Sequence, residues 1–284
     1  MMAALKRRFS SSSSEETLRR QPEYQNPLEQ FHSASDTLKD AIHQWETGLT
    51  DTITYEQEGK LVLAPGTCPG GPNAGKPFFQ FLPLKKSFEE GGTMVCESEN
   101  CISFIPAGYR GADTPNTMNP VREEIAGTTA LMSLVHVLTI PKDIRIYNAA
   151  TLRPEHLPLL KEMEDLGKKA VDILMTAGPT QLGSLGWVYQ QRGTLEMKDG
   201  SIKSVEVVPT DLEYNCRNNF KKSLPKYDTN HSFHMFPAAS IGYLHLHSYV
   251  DQLRTTAYGT MERECRAKGY IKNTPLSHVR AYLQ

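Results

Sequence analysis

Tyr243-Leu244-His245-Leu246-His247-Ser248-Tyr249 sets two histidines one residue apart inside an apolar, aromatic run. Side chains alternate faces along a strand, so this spacing aims His245 and His247 one way and Leu244, Leu246 and Ser248 the other. An isolated pair of this kind is most often an ordinary polar face of a strand. Here His231, His234, His245 and His247 fall within 17 residues, four of the chain's nine histidines. Two chemistries suit such a density: metal ligation and nucleophilic attack by a neutral imidazole. A zinc site wants three or four ligands, usually with carboxylate or thiolate help. The nearest candidates, Asp251 and Cys216, have no motif spacing, so the residues favour the nucleophile and no metal is expected. An imidazole can serve there because its ordinary pKa leaves a large neutral fraction at pH 7.

The histidine run resembles the signature of the histidine-triad superfamily, in which three alternating histidines are followed by apolar residues. Tyr243 stands at the first histidine position, His245 at the middle, nucleophilic one and His247 at the third. Ser240 lies five residues before His245, where members commonly carry a serine that bonds at the scissile phosphate. Upstream, Val135-His136-Val137-Leu138-Thr139-Ile140-Pro141-Lys142 is similar to the superfamily's strand-ending H-x-L-x-I-P-K, with its additional histidine at His136. Leu152-Arg153-Pro154-Glu155-His156-Leu157-Pro158-Leu159-Leu160 resembles the helix that follows in scavenger mRNA-decapping enzymes. The resemblance covers roughly residues 130–250.

What the resemblance implies is hydrolysis of a nucleotide phosphoric anhydride, a cap-like dinucleotide or a nucleoside diphosphate conjugate, through a nucleotidyl-histidine. His245 would be the nucleophile, His247 a donor to a phosphate oxygen and Ser240 a donor at the bridging oxygen, while His136 would touch phosphate or the catalytic ring. Tyr243, Lys142, Arg145 and His234 are the expected substrate contacts. No cofactor is expected, and the implied assembly is a homodimer. Tyr243 departs from the pattern: a phenol hydrogen-bonds but stays neutral near pH 7, so it cannot be a second cationic site. Two alternatives stay open. One is a nucleotidyltransferase that uses the same intermediate; the other is a nucleotide-binding protein that kept the fold and lost turnover.

Composition bounds the partners. Lys plus Arg number 31 against 32 Asp plus Glu, so no global field favours long nucleic acid or an anionic membrane. No apolar run approaches 18 residues, hence no membrane span is expected. The five cysteines, Cys68, Cys96, Cys101, Cys216 and Cys265, are odd in number and irregularly spaced. Reduced thiols and a cytoplasmic setting follow. A mitochondrial alternative rests on the basic, Ser-rich start, Lys6-Arg7-Arg8-Phe9 and Ser10 to Ser14.

The elements that must position these residues read as α+β: an antiparallel sheet of about five strands with one packed helix, plus an N-terminal extension or small lobe. The expected organisation is a disordered tail over 1–30, a β-rich segment over 31–115 and the histidine-triad-like domain with a C-terminal extension over 116–284. Leu38, Ile42 and Trp45 predict a helix over 35–48, capped by Ser35 and stopped near Gly48. Thr52 to Tyr55 and Leu61 to Leu63 predict short strands around a charged turn. Phe78 to Leu82 resumes an extended run, and Ile102 to Pro106 is a further strand. Ala130 to Ile140 predicts a buried strand ended by Pro141. A helix over about 154–175 carries Leu157, Leu160, Met163, Leu166, Ala170, Ile173 and Leu174 on one stripe. Trp187 to Tyr189, Thr194 to Met197 and Ile202 to Val208 are strand material around a tight turn, and 251–284 has helical spacing. Gly70 to Lys76 matches seven positions of the phosphate-loop pattern, but Pro77 stands where its hydroxyl residue belongs. It is read as a surface loop and a decoy.

Overall fold

Residues whose side chains alternate inside and out around His136 and His247 form the middle of one antiparallel sheet. The computed structural model describes residues 27–77, 94–106, 132–133, 135–143, 145–176, 195–196, 202–203, 225–236, 241–253 and 271–284. Outside them lie Ser240, Cys216 and Cys265, the basic start, and the runs 78–82 and 187–189.

Helix α1 (Pro27–His32) begins inside the stretch expected to be tail, and α2 (Asp36–Glu46) follows it. Ser35 caps α2 by accepting from the Leu38 amide, and Leu38, Ala41, Ile42 and Trp45 form its buried stripe. Strands β1 (Thr54–Gln57) and β2 (Lys60–Leu63) pair as a hairpin. Its turn residues Glu58 and Gly59 both have positive φ, as a tight hairpin turn requires. After it, Gly71–Asn73 forms a single turn of 3-10 helix, and Thr67 bridges Pro77. No phosphate-cradling helix of more than one turn starts within residues 70–77.

The main sheet contains β3 (Met94–Glu97), β4 (Cys101–Phe104), β5 (His136–Pro141), β8 (Thr229–His234), β9 (Leu246–Val250) and β10 (Asn273–Pro275), in the order β10-β8-β9-β5-β4-β3. All neighbours are antiparallel. Six strands stand where about five are expected. The extra membership comes from both ends: β3 and β4 belong to the N-terminal segment, and β10 is a three-residue edge strand in a region whose spacing reads as helical. A two-stranded ribbon, β6 (Leu195–Glu196) with β7 (Ile202–Lys203), brackets the predicted tight turn.

Helix α3 (Leu157–Thr176) follows a 3-10 turn at Pro154–His156 and buries Leu160, Met163, Leu166, Gly167, Ala170, Val171, Leu174 and Met175. Val171 and Met175 face inward with Leu174, whereas Ile173 is only partly covered. The stripe turns this way because α3 crosses the sheet at Gly167. A Cβ there would lie 2.2 Å from Ser248 Oγ and 3.1 Å from Thr139 Oγ1. Glycine lets the helix touch the sheet, and each fully buried leucine beside it contributes about 1.5–3 kcal/mol. Glu162, off the apolar stripe, accepts from Ser98 Oγ at 2.5 Å and from the Asn100 amide at 2.8 Å. It ties the helix to the β3–β4 turn, and those bonds hold its carboxyl below the ordinary range.

Leu244, Leu246 and Phe233 join Leu160, Met163 and Leu166 in the core between sheet and helix. The histidines therefore occupy the opposite face. Among the described residues, no helix is long and apolar enough to cross a membrane.

Candidate active site

Register decides which histidines can meet. His136 on β5 pairs with Tyr249 on β9, and Ser232 on β8 pairs with His247. Paired residues share a face, and so do residues two apart along a strand. His136, His234, His245 and His247 thus project from three adjacent strands onto the face away from α3. All four are buried.

Their rings touch. His136 Nε2 and His247 Nδ1 are 2.9 Å apart, with the two rings stacked at 5.1 Å between centroids. His234 lies 3.9 Å from His247 and 6.2 Å from His245, centroid to centroid, and His245 and His247 are 4.9 Å apart. Tyr249 closes one side edge-on to His136.

The segment entering β9 fixes His245. Gly242 donates to the Gly66 carbonyl at 2.7 Å and Leu244 to the Ile146 carbonyl at 2.9 Å. A Cβ on Gly66 would lie 2.3 Å from the Gly242 nitrogen, so the turn at Pro65 and Gly66 is a buttress packed on this segment. The Tyr243 hydroxyl donates to the Pro141 carbonyl at 2.6 Å. With Tyr243 so held, its own carbonyl accepts from His245 Nδ1 at 2.6 Å. That bond puts the His245 proton on Nδ1 and leaves the lone pair on Nε2.

Burial is the largest influence on the cluster and pushes His234, His245 and His247 below the ordinary imidazole range. The positive charge of Lys272 adds to it for all three. For His245 the Tyr243 carbonyl acts in the opposite direction. These rings are neutral near pH 7, the state in which an imidazole attacks or ligates.

His136, Tyr243, His234, His245 and His247 come together; Lys142 and Arg145 do not join them. Lys142 follows the end of β5 remote from His136, bonded to the Ser98 carbonyl at 2.8 Å and paired with Glu97 at 3.1 Å. Arg145 donates to the carbonyls of Trp45 and Thr50, pairs with Asp51, and lies 5.3 Å above the Trp45 ring. It closes the C-terminus of α2. Both cations serve the scaffold where they stand. Tyr243 contributes its backbone to the site, while its ring packs with Phe104, Leu138 and Ile140.

Sequence reasoning missed Lys272. It is a single lysine in a polar stretch with no motif, and only the pairing of β10 with β8 brings it to the histidines. His234, expected as a substrate contact, is the third imidazole of a metal-capable group. His234, His245 and His247 offer ring nitrogens within 4.8 Å of one another, yet His234 is eleven residues from His245 in sequence. No carboxylate or thiolate belongs to that group. Burial pushes the Cys96 thiol up to about 11 and the Cys101 thiol up to about 12, which makes both inert.

Residues 127–192 match the family described as scavenger mRNA decapping enzyme C-term binding. The match spans β5, α3 and His136, and ends before His234, His245 and His247. Over those residues the chain is similar to the HIT-like C-terminal domain of scavenger mRNA-decapping enzymes. No curated protein matches the chain.

Proposed function

Taking the chain as a HIT-like protein similar to scavenger decapping enzymes, we propose that it hydrolyses a nucleotide phosphoric anhydride through a nucleotidyl intermediate on His245. The observation that carries the reading is the bond from His245 Nδ1 to the Tyr243 carbonyl inside a cluster of neutral imidazoles. A nucleophile needs its lone pair oriented and its proton parked elsewhere. The substrate class is a cap-like dinucleotide or a nucleoside diphosphate conjugate, as the family match suggests.

In the first half-reaction His245 Nε2 forms a bond to phosphorus as the bridging P–O bond breaks, and the leaving phosphate departs as an anion. His247 donates from Nε2 to a non-bridging oxygen when His136 Nε2–H donates to its Nδ1. Lys272 supplies the fixed positive charge that favours phosphate at the site. Water then attacks phosphorus, the P–N bond breaks, the electron pair returns to Nε2 and the water's proton passes to solvent. Ser240 keeps the role that the resemblance gives it, at the bridging oxygen.

A phosphorus-labelled dinucleotide should leave label on the protein as an acid-labile, base-stable phosphoramidate. His245→Ala should lose the label and slow turnover by at least about a thousandfold. Wild-type turnover in His245→Ala would overturn the covalent mechanism.

A further inference from the structure

We propose that His234, His245 and His247 also form a site for a borderline divalent cation of the zinc class, and that this cation and a nucleotide exclude one another. The exclusion rests on the proposed nucleophile, because one Nε2 lone pair on His245 cannot bind metal and phosphorus together.

Three features carry the site. First, the three rings offer nitrogens within 4.8 Å of one another. Tetrahedral zinc with bonds of about 2.0–2.1 Å needs ligand nitrogens roughly 3.4 Å apart, within reach of small ring rotations. Second, His234 Nε2 and His247 Nε2 are buried without a hydrogen-bond partner. A buried polar atom of that kind is destabilising unless a ligand satisfies it. Third, the outer nitrogens are already held. His245 Nδ1 donates to the Tyr243 carbonyl, and His247 Nδ1 faces His136 Nε2 at 2.9 Å. Metal-bound imidazoles take that outer-sphere support.

Three neutral imidazoles without a carboxylate suit zinc, copper, nickel or cobalt and not magnesium or calcium. Three protein ligands leave a fourth position open. The two occupants need opposite proton placements across the His136–His247 bond. Donation to phosphate requires the proton on His247 Nε2, whereas ligation requires it on Nδ1, with His136 accepting. Lys272 opposes the cation and favours the phosphate. Its removal should therefore move the two affinities in opposite directions, which a merely structural lysine would not do.

The full chain, stripped with EDTA and desalted, is titrated with Co2+ and followed by visible absorption. One equivalent should produce the intense bands of tetrahedral cobalt, which Zn2+ displaces and a non-hydrolysable dinucleotide bleaches. His234→Ala and His247→Ala should each weaken Co2+ binding by at least about a hundredfold, and exposed His43→Ala should not. Lys272→Ala should tighten Co2+ and weaken the nucleotide. Far-UV circular dichroism checks that each variant is folded; the nucleotide displacement uses the wild type and needs no variant. Absence of the bands, or bands unchanged in folded His234→Ala, overturns the site. If the stripped protein turns over and forms the phosphoramidate but binds no metal, this inference falls alone. If it turns over only after zinc is returned, the proposed exclusion falls together with the metal-free mechanism.

Discussion

His245 Nδ1 lies 2.6 Å from the carbonyl oxygen of Tyr243. The residue that departs from the triad pattern therefore orients the proposed nucleophile through its backbone, and the phenol is occupied elsewhere, with the Pro141 carbonyl. Replacing the side chain should separate stability from turnover. Tyr243→Phe leaves a buried carbonyl without its donor and should cost about 1–3 kcal/mol in urea denaturation. The backbone bond to His245 survives, so kcat should stay within about threefold. A loss of a hundredfold or more in a folded variant would mean that the phenol itself takes part in the chemistry.

The acid limb of activity follows from burial. A nucleophilic imidazole must be neutral, and burial holds His245 below the usual 6.5. The neutral fraction should persist where an exposed histidine has already protonated. The profile of kcat/KM against pH should accordingly keep its plateau at pH 6.5 and fall only below it. A limb centred above 6.5 would place the essential group outside this cluster.

Gly167→Ala tests the contact between helix and sheet. In an exposed helix this change stabilises by roughly 0.8–1 kcal/mol. Here the new methyl would sit 2.2 Å from Ser248 Oγ and 3.1 Å from its Cβ. Overpacking of that kind costs about 1–3 kcal/mol, so the sign should reverse. Pairing it with Ser248→Ala should recover part of the loss, because the nearest atom is removed and the Cβ remains. A double-mutant cycle on urea midpoints gives the coupling.

Periodicity carried the helices and the central strands well. The stripe at Leu38, Ile42 and Trp45 and the Ser35 cap appear where spacing puts them, as does α3 to within a turn. Each of these is a local pattern, set by neighbours three or four residues apart. Topology was less legible. β10 is three residues with a proline at its end, too short for alternation to show, and its pairing with β8 brings Lys272 to the histidines. Convergence of His136, His245 and His247 on one face was readable from parity once the two strands are neighbours. The ring contact of His234 with His245 and the bracing of Arg145 against Trp45 join residues eleven and a hundred apart. No spacing rule reaches that far.

The last prediction concerns acid stability and lies on the other face of the sheet. His231 Nδ1 and Ser248 Oγ are 2.9 Å apart beneath α3. Burial lowers the His231 pKa from 6.5 to about 4, with Arg280 and Lys168 pushing the same way and Glu164 and Asp165 against it. The unfolded chain binds a proton at this residue near pH 6.5, and the folded chain resists until about pH 4. Between those values the unfolded state holds more protons, so stability falls as the pH falls. The contribution is whole above about 6.5 and is lost progressively below it, the loss reaching about 3 kcal/mol near pH 4. His234, His245 and His247 act in the same direction, which makes a comparison of variants necessary. His231→Gln keeps a polar partner for Ser248 and removes the titration. Its urea midpoint should decline less steeply than that of the wild type between pH 6.5 and 4.5, with the two curves parallel above pH 7. Equal slopes in both proteins across that window would mean that His231 takes up its proton without unfolding.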